Sequence, residues 1–129
     1  METRVNRALE NRKKGYNCAQ AVLCAYSDLL GAEEELLFAV SEGFGGGMGG
    51  MQGVCGAVTG MYMAAGLKNS CKDLGVCSTK PVTSRMVREL AKDFKEKNQS
   101  LICRELKGVD TGKMLRSCEG CIEDAVRLI

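Results

Sequence analysis

The sequence predicts an all-α protein, a compact single-domain bundle of about five to seven helices over residues 1–129, with a glycine-rich loop leading into a buried central helix. Three observations predict it. Apolar residues recur at spacings of three and four in several separate segments, as helices burying one face require. Asn17, Gly31, Pro81 and Gly108 fall where caps and first turns need them. No segment shows the period-two alternation of a half-buried strand.

Val5, Ala8, Leu9 and Arg12 mark a short amphipathic helix that Gly15 ends. Asn17 then caps a second helix, with Ala21, Val22, Ala25, Tyr26 and Leu29 on its apolar stripe and Gly31 as its stop. Cys18 falls in its first turn on that stripe, and Cys24 points away from it. Ala32 to Val40 reads as a helix whose leading acids, Glu33 to Glu35, suit the positive end of its dipole.

Gly43 to Leu67 is a run of 25 residues without a formal charge, ten of them glycine. A membrane span is a poor reading because its larger aliphatic side chains are sparse. The better one is a flexible loop, Gly43 to Gly50, feeding a buried helix from about Gln52 to Leu67. Gly53, Gly56, Gly60 and Ala64 give that helix a narrow face for a close neighbour, either another helix or a ligand. Such a face permits a homodimer. The loop matches the dinucleotide pattern in form, but no strand precedes it, so no nucleotide is expected.

Lys68 to Lys80, with Cys71 and Cys77, reads as an exposed loop carrying two independent thiols. Pro81 opens a helix whose core stripe is Val82, Met86, Leu90 and Phe94, with Arg85, Arg88, Lys92, Lys95 and Lys97 on its solvated sides. Ser100 caps a short helix, Leu101 to Lys107, which puts Cys103 in its first turn and ends at Gly108. The last helix carries Leu115, Cys118, Cys121, Ile122, Ala125, Val126 and Ile129 on one inward face.

Composition narrows the function. Eighteen basic against 16 acidic residues leave a net charge of +2, too little for a nucleic-acid partner. Eight cysteines are about 6% of the chain, short of a disulfide scaffold but many for a reducing compartment. The first residues, Met1 to Lys14, hold no apolar stretch of signal-peptide length, so a cytoplasmic location is expected. The absence of histidine removes Ser/His/Asp and Cys/His triads, His-ligated zinc and His-ligated haem. Sulfur is left to do the chemistry, as thiolate nucleophile or metal ligand.

Cys18, Cys55 and Cys103 fall at or near helix N-termini, whose partial positive charge favours thiolate. Cys118-Glu119-Gly120-Cys121 has the spacing of a dithiol pair or half a zinc site, and no following His permits haem attachment. Any one of these thiols could be a small core residue. Four facing inward from separate helices argue otherwise, since alanine or valine would pack without the risk of oxidation.

The blocks Tyr16-Asn17-Cys18-Ala19-Gln20-Ala21-Val22, Cys55-Gly56-Ala57-Val58-Thr59-Gly60, Cys103-Arg104-Glu105-Leu106-Lys107-Gly108 and Cys118 before Asp124-Ala125 occur in order over nearly the whole chain. In them the chain resembles the C_GCAxxG_C_C family of redox-active proteins. The resemblance maps the family's four named cysteines onto Cys18, Cys55, Cys103 and Cys118, and leaves Cys24, Cys71, Cys77 and Cys121 as extras. Its members are mostly from anaerobic bacteria. It also implies a likeness to the split-Soret cytochromes, where a similar module accompanies an iron–sulfur centre, but the haem-binding His is missing here and no haem is expected.

Three functions follow as expectations. The first is one-electron transfer to an unidentified redox partner through an iron–sulfur cluster on Cys18, Cys55, Cys103 and Cys118, which are 37, 48 and 15 residues apart. The second is thiol–disulfide exchange, with Cys18 and Cys55 reactive and Cys118 or Cys103 resolving. The third is a structural zinc protein or an interaction module.

Overall fold

A computed structural model of the chain describes residues 1–75 and 78–129, and these form eight helices with no strand. They are α1 (Glu2–Lys13), α2 (Cys18–Cys24), α3 (Ser27–Leu30), α4 (Glu34–Ser41), α5 (Gly56–Asn69), α6 (Lys80–Asn98), α7 (Cys103–Lys107) and α8 (Cys118–Leu128). The all-α prediction holds, with one short helix more than the periodicity suggested.

The expected second helix is split. α2 stops at Cys24 and α3 restarts at Ser27, because Tyr26 leaves helical geometry at φ −110° and ψ 8°. Side chains from other helices hold that break: Arg4 donates to the Ala25 carbonyl at 2.8 Å, and the Tyr26 hydroxyl donates to the Val126 carbonyl at 2.8 Å. Gly31 then ends α3 in the left-handed region, as its lack of a Cβ allows.

α2 lies at the centre of the molecule, and all seven of its residues are buried. Its closest partner is α5. A Cβ on Gly60 would stand 2.9 Å from the Ala19 carbonyl oxygen, and one on Gly56 would stand 3.1 Å from the Ala19 nitrogen. The neighbour against the glycine face is therefore α2 of the same chain. Because α2 is covered on every side, Cys24 is fully buried too, packed with Leu23, Leu37 and Ala64. Pointing away from the main stripe does not expose it.

α1 and α8 pack on each other and on α2, and α6 closes the bundle against α5 and α8. The α6 stripe is buried only at its far end: Phe94 is inaccessible, whereas Val82 is exposed. Burying a side chain like Phe94 or Met61 stabilises by about 1.5–3 kcal/mol. No helix among the described residues is long and apolar enough to cross a membrane.

The loop before α5 has a defined shape. A 3₁₀ turn, Glu42–Phe44, leads into Gly45–Met48, where Gly46 and Gly47 take φ of +63° and +62°. α5 starts later than the expected Gln52 because the preceding backbone pairs elsewhere: Val54 bridges Ile102, and the Cys55 N–H donates to the Leu101 carbonyl at 2.7 Å. Cys71 is disulfide-bonded, which corrects its reading as an independent thiol. Cys77 lies outside the described residues.

Candidate functional site

Three backbone hydrogen bonds set Cys55 and Cys103 side by side. Besides the Cys55 N–H to Leu101, the Cys103 N–H donates to the Gly53 carbonyl at 3.0 Å and the Arg104 N–H to the Met51 carbonyl at 2.8 Å. Gly47 backs onto Cys103 from the loop side. Cys55 becomes the N-cap of α5, and Cys103 the first residue of α7.

Cys18 joins them through Asn17. The Asn17 side chain accepts from the Gln20 N–H, the Gln20 side chain accepts from the Asn17 N–H, and the Asn17 amide donates to the Glu42 carbonyl, each at 2.9 Å. This capping box fixes the start of α2 and ties it to the glycine loop. Gly56 completes the fit, since a Cβ there would stand 3.2 Å from the Cβ of Cys18.

Cys118 comes from the start of α8. Ser117 caps α8 by accepting from the Gly120 N–H at 3.0 Å, so Cys118 is the first helical residue. The approach is held by the Leu106 carbonyl of α7, which accepts from the N–H groups of Leu115 and Arg116 at 2.9 and 3.3 Å.

Farther along α8, Asp124 is buried and accepts from Lys97 at 2.7 Å, Asn98 at 3.1 Å and Arg116 at 3.0 Å.

The four cysteines line one cavity of about 250 Å³, with Arg12, Asn17, Gly46, Gly56 and Lys107 completing its wall. Each cysteine stands at the start of a different helix. Cys18, Cys55 and Cys103 are buried, and Cys118 is half-buried. Larger grooves exist, such as one of about 390 Å³ beside Val82 and Met86, but no thiol lines that groove.

Arg12 and Lys107 bring positive charge to the cavity, and no ion pair among the described residues involves either. Their effect on the thiols competes with burial. Burial pushes Cys18 and Cys103 above the ordinary thiol value, and charge on Cys55 adds to it, against the pull of Lys107 and, for Cys18, Arg12. The expected thiolate bias at these two helix starts is therefore reversed, since desolvation disfavours the charged form more than one helix end favours it.

Cys55 goes the other way. A hydrogen bond from the Cys121 thiol holds it down, to about 7, with the N–H groups of Ala57 and Val58 adding to the effect against burial. Cys121 is correspondingly pushed up and stays protonated. The family resemblance leaves Cys121 as an extra, although its place one turn beyond Cys118 puts it on the same inner face.

Among the described residues, no three Cys, Asp or Glu side chains converge closely enough to hold a single metal ion. The site is instead four thiols spread round a small cavity. No curated protein and no solved structure matches the chain. The profile of the family described as "Putative redox-active protein (C_GCAxxG_C_C)" matches residues 16–129, a span that contains all four cavity cysteines. The chain belongs to this C_GCAxxG_C_C family of redox-active proteins.

Proposed function

We propose that this chain transfers single electrons through one iron–sulfur cluster held by Cys18, Cys55, Cys103 and Cys118. The observation that carries the reading is that these four thiols line the same cavity. Four thiolates are the usual complement of a two-iron or four-iron centre.

The spread of the sulfurs favours a cluster over zinc. Zinc in a tetrathiolate site lies about 2.3 Å from each sulfur, so the four sulfurs must crowd one point. Here they surround a volume instead, which suits a group with its own bulk.

The cavity also suits an anionic group. Four helix starts and the side chains of Arg12 and Lys107 offset negative charge that burial would otherwise make expensive. When bound, such a cluster supplies a one-electron couple. The chain's own residues hold it, keep Cys55 and Cys103 out of water, and leave Cys118 as the ligand nearest solvent, where a partner would approach.

Purification without oxygen, followed by measurement of iron, acid-labile sulfide and visible absorption, tests this. The reading requires iron and sulfide in a fixed ratio and a coloured protein that bleaches on reduction. A colourless, iron-free product after reconstitution removes it. Reversible pairing of Cys55 with another thiol in that product would favour thiol–disulfide chemistry, and zinc without colour would favour a structural site.

A further inference from the structure

We propose that Arg116, held by Asp124 across Gly120, is a positioning residue for Cys118: the ion pair fixes the entry of α8 and so keeps the Cys118 thiol on the cavity wall. The role deepens the cluster reading above, on which it rests, by naming what sets the fourth ligand.

Cys118 is supported differently from its three partners. Backbone hydrogen bonds to Leu101 and Gly53 hold Cys55 and Cys103, and a capping box holds the start of α2 at Cys18. Cys118 instead follows residues 108–117, which form no helix, and it is the half-buried member of the set. The Leu106 carbonyl accepts from two N–H groups of that approach, and the bond from Arg116 is long at 3.3 Å.

The Arg116 side chain adds a second tether. Its guanidinium donates to Asp124 twice, from Nε to Oδ2 at 3.0 Å and from Nη2 to Oδ1 at 3.1 Å. Such a fork fixes direction as well as distance. The Asp124 side chain is only 1% exposed, and it also accepts from Lys97 and Asn98 at the end of α6. Arg116, two residues before Cys118, is thereby tied to the place where α6 meets α8.

Gly120 makes room for this tether. A Cβ there would stand 2.6 Å from Cζ of Arg116, so any side chain would push the guanidinium off Asp124. Glycine inside a helix costs about 1 kcal/mol against alanine. The glycine of Cys118-Glu119-Gly120-Cys121 therefore serves the ion pair. The alternative is that the pair fastens α8 to α6 without bearing on any one thiol, and the two readings differ in which cysteines respond when it is broken.

The test reads each thiol of the metal-free full chain by its rate of alkylation with iodoacetamide. Arg116→Met, Arg116→Lys and Gly120→Ala are compared with wild type under conditions where denaturation curves show each folded. Cys118 should react severalfold faster in Arg116→Met and in Gly120→Ala, with Cys18, Cys55 and Cys103 unchanged. Arg116→Lys, which keeps the charge without the fork, should fall between. Combining Arg116→Met with Gly120→Ala should add nothing to Arg116→Met alone, because the displaced group is already gone. After anaerobic reconstitution, Arg116→Met and Gly120→Ala should each hold severalfold less iron than wild type.

An unchanged Cys118 rate in Arg116→Met overturns the proposal, and so does equal acceleration of all four thiols, which would make the pair a general fastening. Full iron retention in both reconstituted variants overturns it too. If Arg116→Met does not fold, Gly120→Ala and Arg116→Lys, which keep every charge, decide by the same comparison. A wild type that takes up no iron removes the cluster reading alone, since the metal-free thiol rates still decide this role.

Discussion

Gly47 is packed directly against Cys103: a Cβ on the glycine would stand 2.5 Å from the Cβ of the cysteine, and the Gly47 backbone sits at φ +62°. The glycine loop thus acts as the back wall of the cavity. Gly47→Ala combines left-handed strain of about 1–2 kcal/mol with overpacking of about 1–3 kcal/mol. We expect a lower urea midpoint and poorer iron retention after reconstitution. A variant with unchanged stability and iron content would show that the loop can move away from Cys103 freely.

Two glycines of α5 should respond in opposite directions. Ala favours an interior helical position over Gly by about 1 kcal/mol. At Gly66 nothing lies within 4 Å of where a Cβ would stand, so Gly66→Ala should stabilise by roughly 0.5–1 kcal/mol. At Gly60 the Cβ would press on the Ala19 carbonyl at 2.9 Å, and the overpacking, about 1–3 kcal/mol, outweighs the propensity gain. Denaturation curves of the two variants check the contrast.

The buried Cys24 thiol makes stability fall at alkaline pH. Burial, with the charge of Glu34 adding to it, pushes Cys24 up to about 11 from the ordinary 9.0. Its contribution is complete below pH 9 and is lost as pH rises through 11, because the unfolded thiol ionises first. The loss is about 2–3 kcal/mol at ~1.4 kcal/mol per unit. Urea midpoints between pH 8 and 11 should fall more gently in Cys24→Ala than in wild type.

Asp124 gives the acid limb. Burial alone would raise its carboxyl, but hydrogen bonds from Arg116, Lys97 and Asn98 outweigh that and hold it below the ordinary 3.8. Its contribution is therefore present above that value and lost as pH falls through the lower folded one. Asp124→Asn should destabilise by about 2–3 kcal/mol at neutral pH, since it strips charge from a buried acceptor of three donors. It should also flatten the dependence of the urea midpoint on pH in the acid range.

Local signals carried much of this fold. Asn17 with Gln20, Pro81, Gly108 and the spacing of Gly56 and Gly60 are short-range features, and the helices they imply are present. The misses are long-range. The break after Cys24 is held by Arg4 and Val126, which no window around Tyr26 contains. Cys24 is buried because α4 and α5 cover a face that α2 periodicity alone leaves open. Burial likewise reversed the thiolate bias expected at Cys18 and Cys103, since a helix start is visible in sequence and desolvation is not. Cys121 was visible as an inward residue on α8, but its partner Cys55 lies on another helix.

The most direct test of the cluster reading is the iron content of single Cys→Ala variants after anaerobic reconstitution. Substitution at Cys18, Cys55, Cys103 or Cys118 should cut bound iron and sulfide severalfold, whereas Cys24→Ala, outside the cavity, should keep them. Full iron retention in any of the four variants, or no iron in the wild type, would contradict the account.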